Sequence, residues 1–154
     1  TMANYNVTGA GGTTGHPANG RTPYLVENTV DISAINGDSG AAQNDVLRVI
    51  DVPAETLVLH AGMEILTQLS NSVTVDLGTG DDVDNFVDAD AKETGFSVLT
   101  TTARPVIASA DTIDIKILDA ASTAGKIRVF ALLCDVSGID ETDRNTDAQH
   151  DTSV

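Results

Sequence analysis

Apolar and polar residues alternate with a period of two in nearly every apolar run of this chain. The pattern is clearest in residues 111–136. Ile113, Ile115 and Ile117 alternate with Asp114 and Lys116, which predicts a strand with one dry and one wet face. Six small residues, 120–125, read as a turn, and Lys126 and Arg128 then alternate with Ile127 and Val129. Across 129–134 both parities are apolar, so that strand end is expected to be covered on both faces. The local reading is a hairpin. A hairpin cannot bury such strands alone, so the rest of the chain must supply a sheet beside it and a layer above it.

The remaining runs supply both. Val30, Ile32 and Ala34 alternate with Asp31 and Ser33 as a first strand. Residues 46–52 form a second, ended by Pro53. Residues 56–67 form a long third strand whose odd positions Leu57, Leu59, Ala61, Met63 and Ile65 are apolar, with Gly62 marking a bulge or bend. Val73, Val75 and Leu77 give the dry face of a fourth, and Thr74 and Asp76 its wet face. Residues 78–95 read as the longest loop, followed by a fifth strand at 96–102 and a short sixth at 105–109. No window carries a sustained helical stripe, and 42–49 supports at most a turn or two. About eight short strands with frequent turn signals predict an all-β fold, a single antiparallel β-sandwich of jelly-roll-like form.

That domain is expected at 24–136. Residues 1–23 hold five Gly and two Pro and read as a flexible N-terminal arm. Tyr5, Val7 and Tyr24 punctuate the arm with apolar groups and are its candidate partner-binding residues. Residues 137–154 carry five acids against one Arg and read as an acidic C-terminal tail.

Charge narrows the choice of partners. The formal net charge is −15, from 8 basic and 23 acidic residues. Binders of nucleic acid and of anionic membranes need clustered Lys and Arg, so neither partner is expected. No apolar run approaches a membrane span, and the N-terminus does not read as a secretory leader. Aromatic content is 3% with no Trp, so the core is aliphatic. Cys134 has no partner for an internal disulfide and lies in the most apolar strand, which suits a buried structural thiol.

Candidate chemistry is sparse. Asp81, Asp82, Asp84, Asp88 and Asp90 place oxygen ligands for calcium in one loop. The EF-hand spacing fails, because from Asp82 the fifth position is Phe86 and the sixth is Val87. Asp81, Asp82 and Asp84 remain the candidate metal ligands. The opposing expectation is a solvated loop with Phe86 and Val87 tucked into the sheet edge, and no metal or cofactor. His16, His60 and His150 are scattered and share no zinc motif. No base stands ready to activate a Ser or Cys, so no enzyme is expected. The glycine run at 9–15 lacks the lysine of a phosphate loop.

Three stretches carry a resemblance. Val-Ile-Asp-Val-Pro-Ala-Glu-Thr at 49–56 leads into the long strand. Val-Thr-Val-Asp-Leu-Gly-Thr-Gly-Asp-Asp at 73–82 leads into Phe-Val-Asp-Ala at 86–89. Thr-Ala-Gly-Lys-Ile-Arg-Val stands at 123–129. Their order over residues 45–136 resembles small head proteins of marine tailed bacteriophages, of the capsid decoration (cement) kind. The resemblance implies a β-sandwich on the virion surface that binds the major capsid protein lattice and reinforces contacts between its subunits. It also implies self-association as a homo-oligomer, a trimer among the possible states. It carries no contact residues over. The alternative is a carbohydrate-binding or adhesin-like module of a phage fibre or tail, against which the scarcity of aromatic residues counts.

Overall fold

The structure is a computed structural model that describes residues 21–91, 95–98 and 106–137. Nine strands are described: β1 (Tyr24–Asp31), β2 (Val46–Val52), β3 (Thr56–Thr67), β4 (Thr74–Thr79), β5 (Val87–Ala91), β6 (Gly95–Val98), β7 (Val106–Ile107), β8 (Asp111–Leu118) and β9 (Lys126–Asp135). The first strand ends earlier than the alternation predicts. Asp31 accepts from the Ser33 N–H and hydroxyl, which turns Ile32–Ala34 into one 3-10 turn. The long loop of the sequence reading contains β5, and of the residues expected as a fifth strand, 99–102 lie outside the described residues, as does Pro105.

The strands make two antiparallel sheets, ordered β1-β9-β3-β6 with β7 also on β3, and β2-β8-β4-β5. With the two-residue β7 set aside, successive strands pass from one sheet to the other except at β4–β5. That winding is a jelly roll.

The expected hairpin at 111–136 is therefore corrected. β8 pairs with β2 and β4, whereas β9 pairs with β1 and β3. Residues 119–125 arch from one sheet to the other. Non-local bonds fix the arch: Ala41 and Ser122 exchange both backbone hydrogen bonds at 2.9 Å, and Ile32 N–H donates to Gly125 C=O. The buried Ser122 hydroxyl donates to Ala124 C=O at 2.8 Å and accepts from Ser70 N–H at 3.1 Å. Loops 32–45, 68–73 and 119–125 are thus tied at one end of the sandwich. Loops 53–55, 80–86 and 108–110 lie at the other, with Arg21 and Ser137.

The core fills the space between the sheets with Ile113, Ile115, Ile117, Ile127, Val129, Leu133, Met63 and Leu77, all fully buried. Each such side chain stabilises the fold by about 1.5–3 kcal/mol. Phe86 is 1% exposed and plugs the loop end, and Val87 and Cys134 are buried as expected.

Register shifts alter the face assignment in β3, at Leu59 and again at Leu66, and in β2 at Val49. In β3 the register steps from Val58↔Leu133 to His60↔Leu132, which leaves Leu59 as an extra residue. The bulge lies there rather than at Gly62. Inward residues are Thr56 and Val58 before it and Ala61, Met63 and Ile65 after it. The expected odd-numbered dry face is thus correct only for its second half. In β2 the register steps from Arg48 to Ile50, and the extra Val49 has its carbonyl bonded by Asn28 Nδ2 of the opposite sheet at 2.9 Å.

Candidate interaction surface

An antiparallel sandwich ordinarily shows water a polar outer face. The outer face of the five-stranded sheet departs from this over half its length. Register places its residues in rows across the strands. Val106, Leu57 and Cys134 form the first row, and Leu25, Leu132 and His60 the second. Glu27, Phe130 and Gly62 come third, Thr29, Arg128 and Glu64 fourth, and Asp31, Lys126 and Thr67 last.

The first two rows carry no Asp, Glu, Lys or Arg. Leu25 is 64% exposed and Val106 is 56% exposed. Leu57, Leu132, Phe130 and His60 are half-buried, and the His60 and Phe130 rings are 6.3 Å apart. The bulge at Leu59 creates this patch, because it turns Leu57 outward from a stripe that would otherwise point into the core. The far half of the face is charged but paired: Glu64 with Arg128, and Asp31 with Lys126 at 3.6 Å. The described residues of a chain of net charge −15 thus leave an uncharged apolar area in the open here.

The chain enters and leaves beside this patch. The Arg21 guanidinium donates to the carbonyls of Asp135 and Ser137 and lies 3.8 Å from the Asp135 carboxylate. Ser137 N–H donates to Asp135 Oδ1 at 2.7 Å. That bonding to Ser137, with Arg21 adding to it, holds the Asp135 carboxyl below the ordinary carboxylate range. Of the candidate partner-binding residues, Tyr24 opens β1 at this corner and is 38% exposed. Tyr5 and Val7 lie outside the described residues.

The acidic loop lies on the other sheet. Gly78 permits it to fold back, since a β-carbon there would meet Asp82 O at 2.1 Å and Val83 O at 2.6 Å. Thr79 N–H donates to Asp82 C=O, Phe86 N–H to Leu77 C=O, and Gly80 N–H to Asp111 Oδ2. Asp82 and Asp84 come close enough to hydrogen-bond, which pushes the Asp82 carboxyl up, helped by desolvation and like charge. Asp81, Asp82 and Asp84 are all exposed. Among the described residues no three His, Cys, Asp or Glu side chains converge in a way that could hold a metal ion. Asp76, expected on a wet face, is 5% exposed, and Asp114 is 2% exposed.

The strand end at 129–134 was expected to be covered on both faces; on its outer parity Cys134 is buried, but Phe130 and Leu132 are only half-buried. The apolar Leu25 beside them, on the outward parity of β1, was not singled out.

No protein-family profile matches the chain, and no curated protein does. Solved structures do. A chain of the cyanophage Pam1 capsid asymmetric unit matches with a TM-score of 0.63 and 17% identity, over 88% of this chain and 99% of that one. A chain of the capsid of Ralstonia phage GP4 matches at 0.58 and 10% identity, over 76% and 86%. A chain of the acidic stable capsid structure of Helicobacter pylori bacteriophage KHP30 matches at 0.54 and 13% identity, over 73% and 86%. The likeness is one of fold: this jelly roll is similar to chains that stand in three phage capsids.

Proposed function

We propose that the protein is a non-enzymatic structural component of a phage virion, a decoration protein bound to the major capsid protein lattice on the head surface. The observation that carries this reading is the extent of the Pam1 match, which takes in nearly the whole of a capsid chain with no domain left over. The apolar rows around Leu25 and Val106 are the face that docks on the capsid protein. Such a face suits a large, uncharged contact between a strongly acidic decoration protein and its support. The arm emerges beside it at Arg21, and Tyr5, Val7 and Tyr24 extend the contact to a neighbouring subunit. The decoration proteins associate with one another on the lattice, a trimer being the state to test first.

The test is to add purified protein to heads that lack it. Saturable binding at a fixed ratio to the major capsid protein, with a higher melting temperature of the head, is the expected result. Failure to bind heads, together with binding to a glycan array, would favour the sugar-binding alternative. Deleting residues 1–20 should leave the melting of the isolated domain nearly unchanged and weaken attachment in competition with the intact chain.

A further inference from the structure

Asp114 is out of place by the rules of its own strand. Ile113 and Ile115 point inward and are fully buried, so Asp114 points to the outer face of the four-stranded sheet. An outward Asp should be wet, yet this one is 2% exposed, and its Oδ1 has no hydrogen-bond partner. The cover is loop 80–86. Asp114 stands directly across from Gly78, and the Asp82 and Val83 carbonyl oxygens occupy the space that a Gly78 side chain would fill. Directly opposed β-carbons in a sheet are about 4.5–5.5 Å apart, so these oxygens lie within reach of the Asp114 carboxyl.

Such surroundings suit a neutral acid. The unpartnered Oδ1 has no donor beside it, and carbonyl oxygens only accept, whereas a protonated carboxyl has a hydroxyl to donate to them. The charged neighbours do not reverse this. Arg48 on β2 stands opposite Asp114 but is exposed and makes no ion pair with it. Lys116 on β8 has Asp76 of β4 as its register partner. Asp111 adds like charge from the same strand.

We infer that Asp114 is a proton-operated latch: as a neutral acid it holds loop 80–86 on the sheet, and on ionising it releases the loop. Desolvation raises the Asp114 carboxyl above its ordinary range and outweighs the opposing Thr112 hydrogen bond and Arg48 charge, with Asp111 adding to the rise. The sign follows. A carboxyl raised by folding contributes stability that is complete in acid and lost as pH rises through its folded value. Acid therefore closes the loop and alkali loosens it. A metal ion is the weaker occupant, because the carboxylates of the loop do not converge with Asp114. The inference does not depend on the capsid reading.

The test is hydrogen exchange at Thr79 and Asp82, whose N–H groups close the base of the loop, in the full chain from about pH 4 to about pH 8. After correction for intrinsic rates, protection should fall with rising pH, by about tenfold for each unit that folding raises the acid. Asp114→Asn, isosteric and neutral throughout, should stay protected over the whole range, and Asp82→Asn should keep the wild-type transition. A flat wild-type profile would overturn the latch. So would an unchanged transition in Asp114→Asn, or its loss in Asp82→Asn alone. Millimolar calcium restoring protection at alkaline pH in the wild type but not in Asp114→Asn would overturn it in favour of a cation site.

Discussion

Ile115 and Val129 are both fully buried in one core, yet they hang from opposite sheets. Ile115 on β8 pairs with Leu47 and Leu77, and Val129 on β9 pairs with Asn28 and Met63. The arch at 119–125 thus folds two consecutive strands over each other to close the sandwich. Cutting Ile115 to Ala should cost about 2–5 kcal/mol in denaturant unfolding, because β8 is central in its sheet and the cavity cannot collapse freely. A change near zero would place Ile115 outside the core.

Ser122 is the polar counterpart in that arch. Its hydroxyl serves Ser70 N–H and Ala124 C=O while fully buried. Ser122→Ala removes both bonds but leaves Ser70 N–H still donating to Ala124 C=O at 3.3 Å, so it should cost about 0.5–1.5 kcal/mol. The loss should be accompanied by faster amide exchange at Ser70. Wild-type stability with unchanged exchange would mean that the three loops are held together by other bonds.

The class of fold was legible because alternation with a period of two is a local signal, and Ile113, Ile115 and Ile117 display it without interruption. Strand partners were not, because pairing is decided far away in the chain. Small residues at 120–125 suit a hairpin turn and an inter-sheet arch equally. Non-local bonds, among them those with Ala41, Ile32 and Ser70, select the arch. The bulge at Leu59 was hidden for a similar reason. Leu57 and Ala61 share a parity and a polarity class, and nothing between them announces that the strand changes face. The burial of Asp114 depends on a loop crossing Gly78, some 36 residues earlier, which no local pattern encodes.

The carboxyls divide by the direction in which folding moves them. Ser33 holds Asp31 below the ordinary range by its side-chain and backbone hydrogen bonds, with Lys126 adding to them, and Ser137 and Arg21 do the same for Asp135. Contributions of this kind are present at neutral pH and lost as pH falls through the lowered folded values. Carboxyl resonances of Asp31 and Asp135 should therefore titrate below those of Asp82 and Asp114. An Asp135 that titrates in the ordinary range would show that the Ser137 hydrogen bonds, with the Arg21 contact beside them, do not persist in solution.

The apolar rows lead to a separation of folding from attachment. Leu25 is 64% exposed on edge strand β1, and Val106 is 56% exposed on β7. Neither side chain belongs to the buried cluster between the sheets. Exposed substitutions away from buried groups change stability by about 0.5 kcal/mol or less. Leu25→Glu and Val106→Glu should therefore melt within a few degrees of wild type. Against a partner the same changes place charges in a contact that must exclude water, where an unpaired charge is costly. Binding to heads should fall at least about tenfold, the equivalent of about 1.4 kcal/mol. Thr29→Glu, on the charged half of the same face, is the control and should bind nearly as wild type. Equal binding by all three variants would move the docking face elsewhere on the sandwich. A large loss of melting temperature in Leu25→Glu would instead mean that Leu25 serves the fold.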